Sequence, residues 1–299
     1  MKFKLKHIFE YGLVRIVTFI LHHVPYRIAL FIGWGGAVIA FYLVRFRVKQ
    51  AKERIYQIFG PKISSSRVRH IAWISWRNFV FNIVELIRIP ITTHKWVRSV
   101  VYDNGSMNKL TSFLKSNNGA IFATFHMGPW ELAALTCQAY HIPLFSIAAR
   151  QSNPLVNKFM NSMRDGTGLE VVVRDASVLK TIIRNIRQGK VLAILPDVRA
   201  PAKALDICFL GKQANVPAGM AFIARKTNVP VFPFVLTRIG WTHHCYRIYD
   251  PIFPDPNCSK EVDSLRLTKS VFNIFDKHIR TEPEQWFWFN KRWLFDPID

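Results

Sequence analysis

The sequence predicts an α/β fold: a mainly parallel central sheet flanked by helices, with an N-terminal hydrophobic membrane-anchor helix. Three observations predict it. From Gly119 onward, short apolar runs alternate with helix-like stretches, and that alternation favours parallel strands covered by helices. Residues 50 to 100 carry a helical apolar period. Ahead of both lies an uncharged run, Ile28 to Val44, flanked by basic residues.

The N-terminus, "MKFKLKHIFEYGLVRIVTFILHHV", is basic and then amphipathic. The run "IALFIGWGGAVIAFYLV" that follows sits at the lower length limit for crossing a bilayer, and its small residues Gly33, Gly35, Gly36 and Ala37 also suit close helix packing. Lys2, Lys4, Lys6 and Arg15 precede it and "RFRVKQAKER" follows, so charge does not set an orientation. A full span, an in-plane anchor and a core helix all satisfy these residues. A cleaved signal peptide fits poorly, since the apolar run begins late and no small-x-small site follows it.

Within "VRHIAWISWRNFVFNIVELIRI", Ile71, Ile74, Phe79, Ile83, Leu86 and Ile87 recur at three- and four-residue steps until Pro90. This predicts an amphipathic helix over the core rather than a membrane contact. Strands are expected at 120–125, 143–149, 169–174, 191–196 and 229–236, and helices at 129–140, 154–165, 176–188 and 217–227. In such folds chemistry collects at the carboxyl ends of the strands.

Composition narrows the partners. Half the residues are hydrophobic while the net charge is +22, a pairing that favours an anionic lipid surface over nucleic acid. No base-stacking or groove-reading module appears, so nucleic acid is not an expected partner. The cysteines Cys137, Cys208, Cys245 and Cys258 are scattered without a C-x-x-C pair, which argues against a disulfide framework or a thiolate metal site. Neighbours on a strand point to opposite faces, so "HHC" at His243 to Cys245 is not expected to bind metal. No metal and no cofactor is expected.

The most informative stretch is "ATFHMGPWELAAL", Ala123 to Leu135. A strand ends near Phe125, Gly128 permits a sharp turn, and Pro129 suits the start of a helix. Glu131 then falls in the first helical turn, near His126. One imidazole nitrogen donating to that carboxylate would leave the other as a base. Spacing alone fits equally a glutamate that favours the helix dipole beside a core histidine.

"FHMGPWE" has the H-x-x-x-x-D/E pattern of the glycerolipid acyltransferase superfamily. Together with "ARQSNPLVNKFMNSMRDGTG", "GKVLAILPDVRA", "CFLGKQANVPAGMAFIARKTNVPVFPF" and "IRTEPEQWFWFNKRW", it resembles the bacterial late acyltransferases of lipid A biosynthesis. The resemblance implies transfer of an acyl chain from a thioester, usually on acyl carrier protein, to a hydroxyl of a phosphorylated glycolipid; an enzyme acylating another glycolipid or a glycerophospholipid from acyl-CoA, and a non-catalytic membrane-binding protein of this fold, are the alternative readings. It implies a bacterial inner-membrane protein whose catalytic domain faces the cytoplasm, with residues 1–50 as the anchor and 51–299 as the acyltransferase domain. His126 would be the base, Glu131 its orienting carboxylate, and Arg164 the stabiliser of the oxyanion. Substrate-binding roles are carried to Arg150, Asn153, Asp197, Arg199 and Arg292. Arg150 and Arg164 also suit a surface ion pair and a solvated helix end, and Arg199 could grip phosphate as a bidentate fork.

Two departures stand out. Val198 occupies a position where the family commonly has glutamine, and Asn290 and Lys291 stand where Trp-x-His-Arg-Arg is common. The aromatic-basic stretch Trp286 to Trp293 also suits an interfacial anchor at headgroup depth.

Overall fold

A computed structural model describes residues 4–103, 105–116, 119–148, 153–165, 170–173 and 177–296. Helices α1 (Leu5–His23), α2 (Tyr26–Val38), α3 (Val48–Phe59), α4 (Ser65–Arg88) and α5 (His94–Val100) come first. Then follow β1 (Val101–Tyr102), α6 (Ser106–Ser116), β2 (Ala120–Ala123), α7 (Trp130–Ala139), β3 (Leu144–Ala148) and α8 (Pro154–Asp165). The chain continues through β4 (Glu170–Val173), α9 (Val178–Arg187), β5 (Val191–Ile194), β6 (Leu205–Phe209), β7 (Lys212–Val216) and α10 (Gly219–Thr227). It ends with β8 (Val231–Ile239), β9 (His243–Ile248) and α11 (Lys260–Thr281).

The central sheet has the order β1-β9-β8-β2-β5-β3-β4. Every neighbouring pair is parallel except β8 with β9, so the expected mainly parallel sheet between helices is present. All five expected strands and all four expected helices of this region form, most of them shorter by one or two residues at an end, while α8 matches its expected range and β8 runs three residues past its own. The antiparallel β6–β7 hairpin, β9 and the long α11 did not stand out in the sequence, nor did β1 and α6 ahead of this region. The hairpin turns on Leu210 and Gly211, both at positive φ, rather than on the Asn-Gly or Asp-Gly pair that usually announces such a turn.

The core is aromatic. Phe125, just past β2, stacks flat on Phe275 of α11 at 3.8 Å between ring centroids and meets Phe272 edge-on at 4.8 Å. On the N-terminal side, α2 lays Ala29, Leu30, Gly33 and Ala37 against α4. A Cβ on Gly33 would come within 2.7 Å of Val84 Cγ2, so the small residue sets the helix separation. The stretch Tyr26–Leu43 is long and apolar enough to cross a membrane, yet one of its faces is packed on protein.

Helix α4 covers the core as expected, burying Ile71, Leu86 and Ile87. It also carries a buried polar network. Glu85 takes two hydrogen bonds from Arg238 of β8, at 2.8 and 2.6 Å, and a third from Tyr26 at 2.6 Å. Asn82, one turn earlier, accepts from Arg238 at 3.0 Å. His244 stands 3.5 Å from Glu85, and its imidazole is pushed down to about 3, first by burial and further by Arg238, so it is neutral. Removing one partner of a buried ion pair leaves a desolvated charge and costs about 3–5 kcal/mol. Glu85→Ala is therefore expected to lower stability by that order, read as a reduced urea midpoint.

Alternation along β9 buries His244 and turns His243 and Cys245 to the other face. The C-terminal segment departs from expectation. Trp286, Trp288 and Trp293 are 2%, 0% and 3% exposed, so they are core residues and not interfacial anchors. Arg54 fixes them from α3, donating to the carbonyls of Trp288 and Asn290 at 2.9 and 2.8 Å and lying 4.5 Å over the Trp293 ring.

Candidate active site

Strands β2 and β5 are parallel neighbours, with Ala123 opposite Ile194 in register. Continuing both chains by three residues past that pair brings His126 beside Asp197 at the carboxyl edge of the sheet. Nδ1 of His126 lies 2.8 Å from Asp197 Oδ1, and the His126 backbone N–H donates to Oδ2 at 2.9 Å. Trp286 Nε1–H donates to the same Oδ2 at 2.9 Å. The Asp197 side chain is 1% exposed while that of His126 is 25% exposed, so the carboxylate is sealed and the imidazole opens outward.

With Nδ1 donating to a carboxylate, Nε2 is the nitrogen with the lone pair, and it has no protein partner among the described residues. Burial disfavours the imidazolium, but Asp197 outweighs it by charge and hydrogen bond, and Glu131 adds to the attraction. The result is a pKa above the ordinary histidine value of 6.5.

The turn after His126 is held from three sides. Gly128 has φ +58°, and a Cβ there would lie 1.8 Å from the Leu236 carbonyl oxygen, so only glycine fits. Asn82 donates to the Gly128 carbonyl at 2.7 Å, tying the turn to the Glu85–Arg238 network. The C-terminal segment runs alongside: Gly128 N–H donates to Gln285 O at 2.8 Å, and Phe287 N–H donates to His126 O at 2.8 Å. Beyond the turn, the Trp130 ring meets the imidazole edge-on at 5.4 Å. Half-buried Phe79 and Phe287 continue this aromatic wall, 4.3 Å apart between centroids.

The sequence-predicted residues separate into four groups. His126 and Glu131 are near one another, but the hydrogen-bond partner of Nδ1 is Asp197; Glu131, in the first turn of α7, acts on His126 through charge. Asp197 was expected to bind substrate, and its carboxylate is instead occupied by three donors from His126 and Trp286.

Arg199 and Arg292 are brought together. Arg199 N–H donates to Arg292 O at 3.1 Å, and Arg292 Nη2 donates back to Arg199 O at 2.7 Å. Asn153 caps α8 by accepting from the N–H groups of Leu155 and Val156, while its amide donates to His7 O and Glu10 of α1. Its geometry is that of a structural tie between α1 and α8. Arg164 lies on α8, its side chain outside the described residues, and Arg150 lies wholly outside them.

Trp286 and Gln285 had no site role in the sequence reading. Nothing local marks them; only the pairing of the C-terminal segment with the His126 turn does, through a bridge between Met127 and Trp286.

A phosphatidylinositol mannoside acyltransferase of Mycobacterium tuberculosis (strain CDC 1551 / Oshkosh) is 22% identical over 219 residues, covering 71% of this chain and 66% of the relative. This chain thus matches slightly less than two thirds of that relative's length. The protein of the same name in Mycolicibacterium smegmatis is 21% identical over 222 residues, covering 72% and 69%. The lipid A biosynthesis lauroyltransferase of Escherichia coli (strain K12) is 22% identical over 286 residues, covering 94% of this chain and 90% of the relative. The family model described as bacterial lipid A biosynthesis acyltransferase matches residues 1–295, and the chain belongs to that family.

Proposed function

We propose that this protein transfers a fatty acyl chain from a thioester, carried by acyl carrier protein, to a hydroxyl of a phosphorylated glycolipid of the lipid A precursor class. The observation that carries the reading is the Asp197–His126 pair, with Nε2 opening beside an aromatic wall. Nε2 takes the proton of the acceptor hydroxyl while Asp197 holds the other side of the ring and balances the imidazolium. The oxygen attacks the thioester carbonyl, and a tetrahedral oxyanion forms. Its collapse expels the thiolate, which takes the proton from Nε2 and restores the neutral base. Arg164 is the proposed oxyanion partner. Half-buried rings of Trp130, Phe79 and Phe287 suit an acyl chain lying against the base.

The reading places the protein on the bacterial inner membrane with its catalytic domain facing the cytoplasm, residues 1–50 forming the membrane-facing part. Exposed apolar side chains on α1 and in Tyr26–Leu43 support it, among them Leu5, Phe9, Phe31 and Leu43. So does the net charge of +22, which suits anionic lipid, an acidic carrier protein and a phosphorylated acceptor alike. A second reading, a phosphatidylinositol mannoside type of acceptor, is favoured by the names of the mycobacterial relatives.

Mass spectrometry of lipids from cells lacking the gene, complemented with wild type or His126→Ala, tests the proposal. Wild type is expected to restore a species heavier by one acyl chain, and the variant is not. The fragment that carries the chain distinguishes the two acceptors. Identical lipids in all three strains would overturn the reading.

A further inference from the structure

A cleft of about 500 Å³ opens where α2 hands over to α3, and none of the residues placed around His126 lines it. Its floor is apolar, formed by Phe41 and Val48, and its rim carries Arg45, Lys49, Lys52 and Arg69. Helix α3 begins at this cleft, and no side chain caps its N-terminus, so its positive end adds to the rim charge. Lys49 meets Glu53 only at 3.9 Å, with both side chains exposed, and among the described residues Arg45, Lys52 and Arg69 have no acidic partner.

We infer that this cleft holds the phosphate headgroup of an anionic membrane phospholipid, a lipid that seats the enzyme and does not react. This rests on the membrane reading given above and names the site that performs it. Four cations around an apolar floor suit a phosphodiester joined to acyl chains, and the volume lies within the usual range for small-ligand sites. The chains have somewhere to go: Ile39, Leu43, Val44 and Phe46, all 46% exposed or more, border the cleft in sequence and continue the apolar face of α2. An acidic protein would find the charge but no use for that exposed apolar border.

The bound lipid is not the reacting one. None of the residues around His126 lines the cleft; from Phe46, which borders the cleft in sequence, a succession of ring contacts, Trp76 at 5.7 Å, Phe79 at 5.5 Å, Trp130 at 6.3 Å and His126 at 5.4 Å, leads to the base. That chain of contacts gives the seat a mechanical link to the site. A phospholipid gripped at the cleft fixes the height of the aromatic wall, and so of Nε2, relative to the membrane plane.

The test is vesicle flotation of the full-length protein. Vesicles of phosphatidylcholine are compared with vesicles containing about one fifth phosphatidylglycerol, for wild type, Lys49→Glu/Lys52→Glu/Arg69→Glu, and a control triple, Lys226→Glu/Lys269→Glu/Lys277→Glu. The control reverses three exposed lysines on α10 and α11. At roughly a factor of several per lost surface cation, the cleft variant is expected to bind anionic vesicles at least about tenfold more weakly. The control should change by less than about threefold, and binding to phosphatidylcholine should stay as in wild type. Turnover of detergent-dispersed substrate by the cleft variant should be unchanged, which also shows that it folds.

Equal anionic-vesicle binding by wild type and cleft variant would overturn the inference, as would an equal loss in the control triple. Loss of carrier-protein binding with vesicle binding retained would make the cleft a protein dock instead. A wild type indifferent to anionic lipid would overturn the membrane reading itself, which separates that failure from failure of the cleft.

Discussion

Asp197→Asn is expected to lower kcat by roughly 10²- to 10⁴-fold with little change in KM. An asparagine keeps the volume but loses the charge that balances the imidazolium and fixes the proton on Nδ1, and losing such a partner removes most of the base catalysis a histidine supplies. The pH profile should change as well. In wild type the histidine pKa is raised, so the neutral base is lost as pH falls through a value above 6.5, and the acidic limb of kcat/KM lies there. Without Asp197 only burial and Glu131 act, and the limb moves to lower pH. Glu131→Gln removes only an electrostatic contribution and should cost less and shift the limb less. A Glu131→Gln variant slower than Asp197→Asn would return the orienting role to the glutamate.

The same pair has a signature in stability. A histidine whose folded pKa is raised contributes stability that is fully present below its unfolded value and fades as pH climbs through the folded one. The stability gap between wild type and Asp197→Asn should therefore narrow from mildly acidic to alkaline pH.

Gly128→Ala is expected to be the most damaging glycine-to-alanine substitution among the described residues. The backbone there has φ +58°, which a Cβ disfavours, and that Cβ would sit 1.8 Å from a carbonyl oxygen of β8. Neither atom is the flexible end of a side chain, so the turn or the strand must move. Such steric conflicts belong to the tail of destabilisations beyond about 4 kcal/mol. Any folded remainder should be nearly inactive, because moving the turn breaks the hydrogen bonds from Gly128 and Phe287 that hold His126. Denaturant unfolding alongside activity checks this; a variant within about 1 kcal/mol of wild type and fully active would contradict it.

Much of the sheet was legible because its strands are short apolar runs bounded by turn residues, and a parallel sheet needs little else. The N-terminal half of the site was legible too: "FHMGPWE" announces a strand end, a glycine turn and a helix start. The hydrogen-bond partner of His126 was not. His126 and Asp197 are distant in sequence and meet because β2 and β5 are neighbours in register, a pairing that no local pattern encodes. The nearest carboxylate in sequence is Glu131, whereas the sheet supplies Asp197. Trp286 shows the same limit from the other side. A Trp-rich basic tail looks like a membrane belt until its indoles prove to be core, one of them donating to Asp197.

The most direct measurement of the central claim is a double-mutant cycle on turnover with His126→Ala, Asp197→Asn and the double variant. If Asp197 acts only by holding and charging the imidazole, it has nothing to do once the imidazole is gone. The double variant should then be about as slow as His126→Ala alone. Losses that multiply, with the double slower than either single by the full factor of the other, would mean that the two residues work independently, and the account of a histidine base oriented by Asp197 would be wrong.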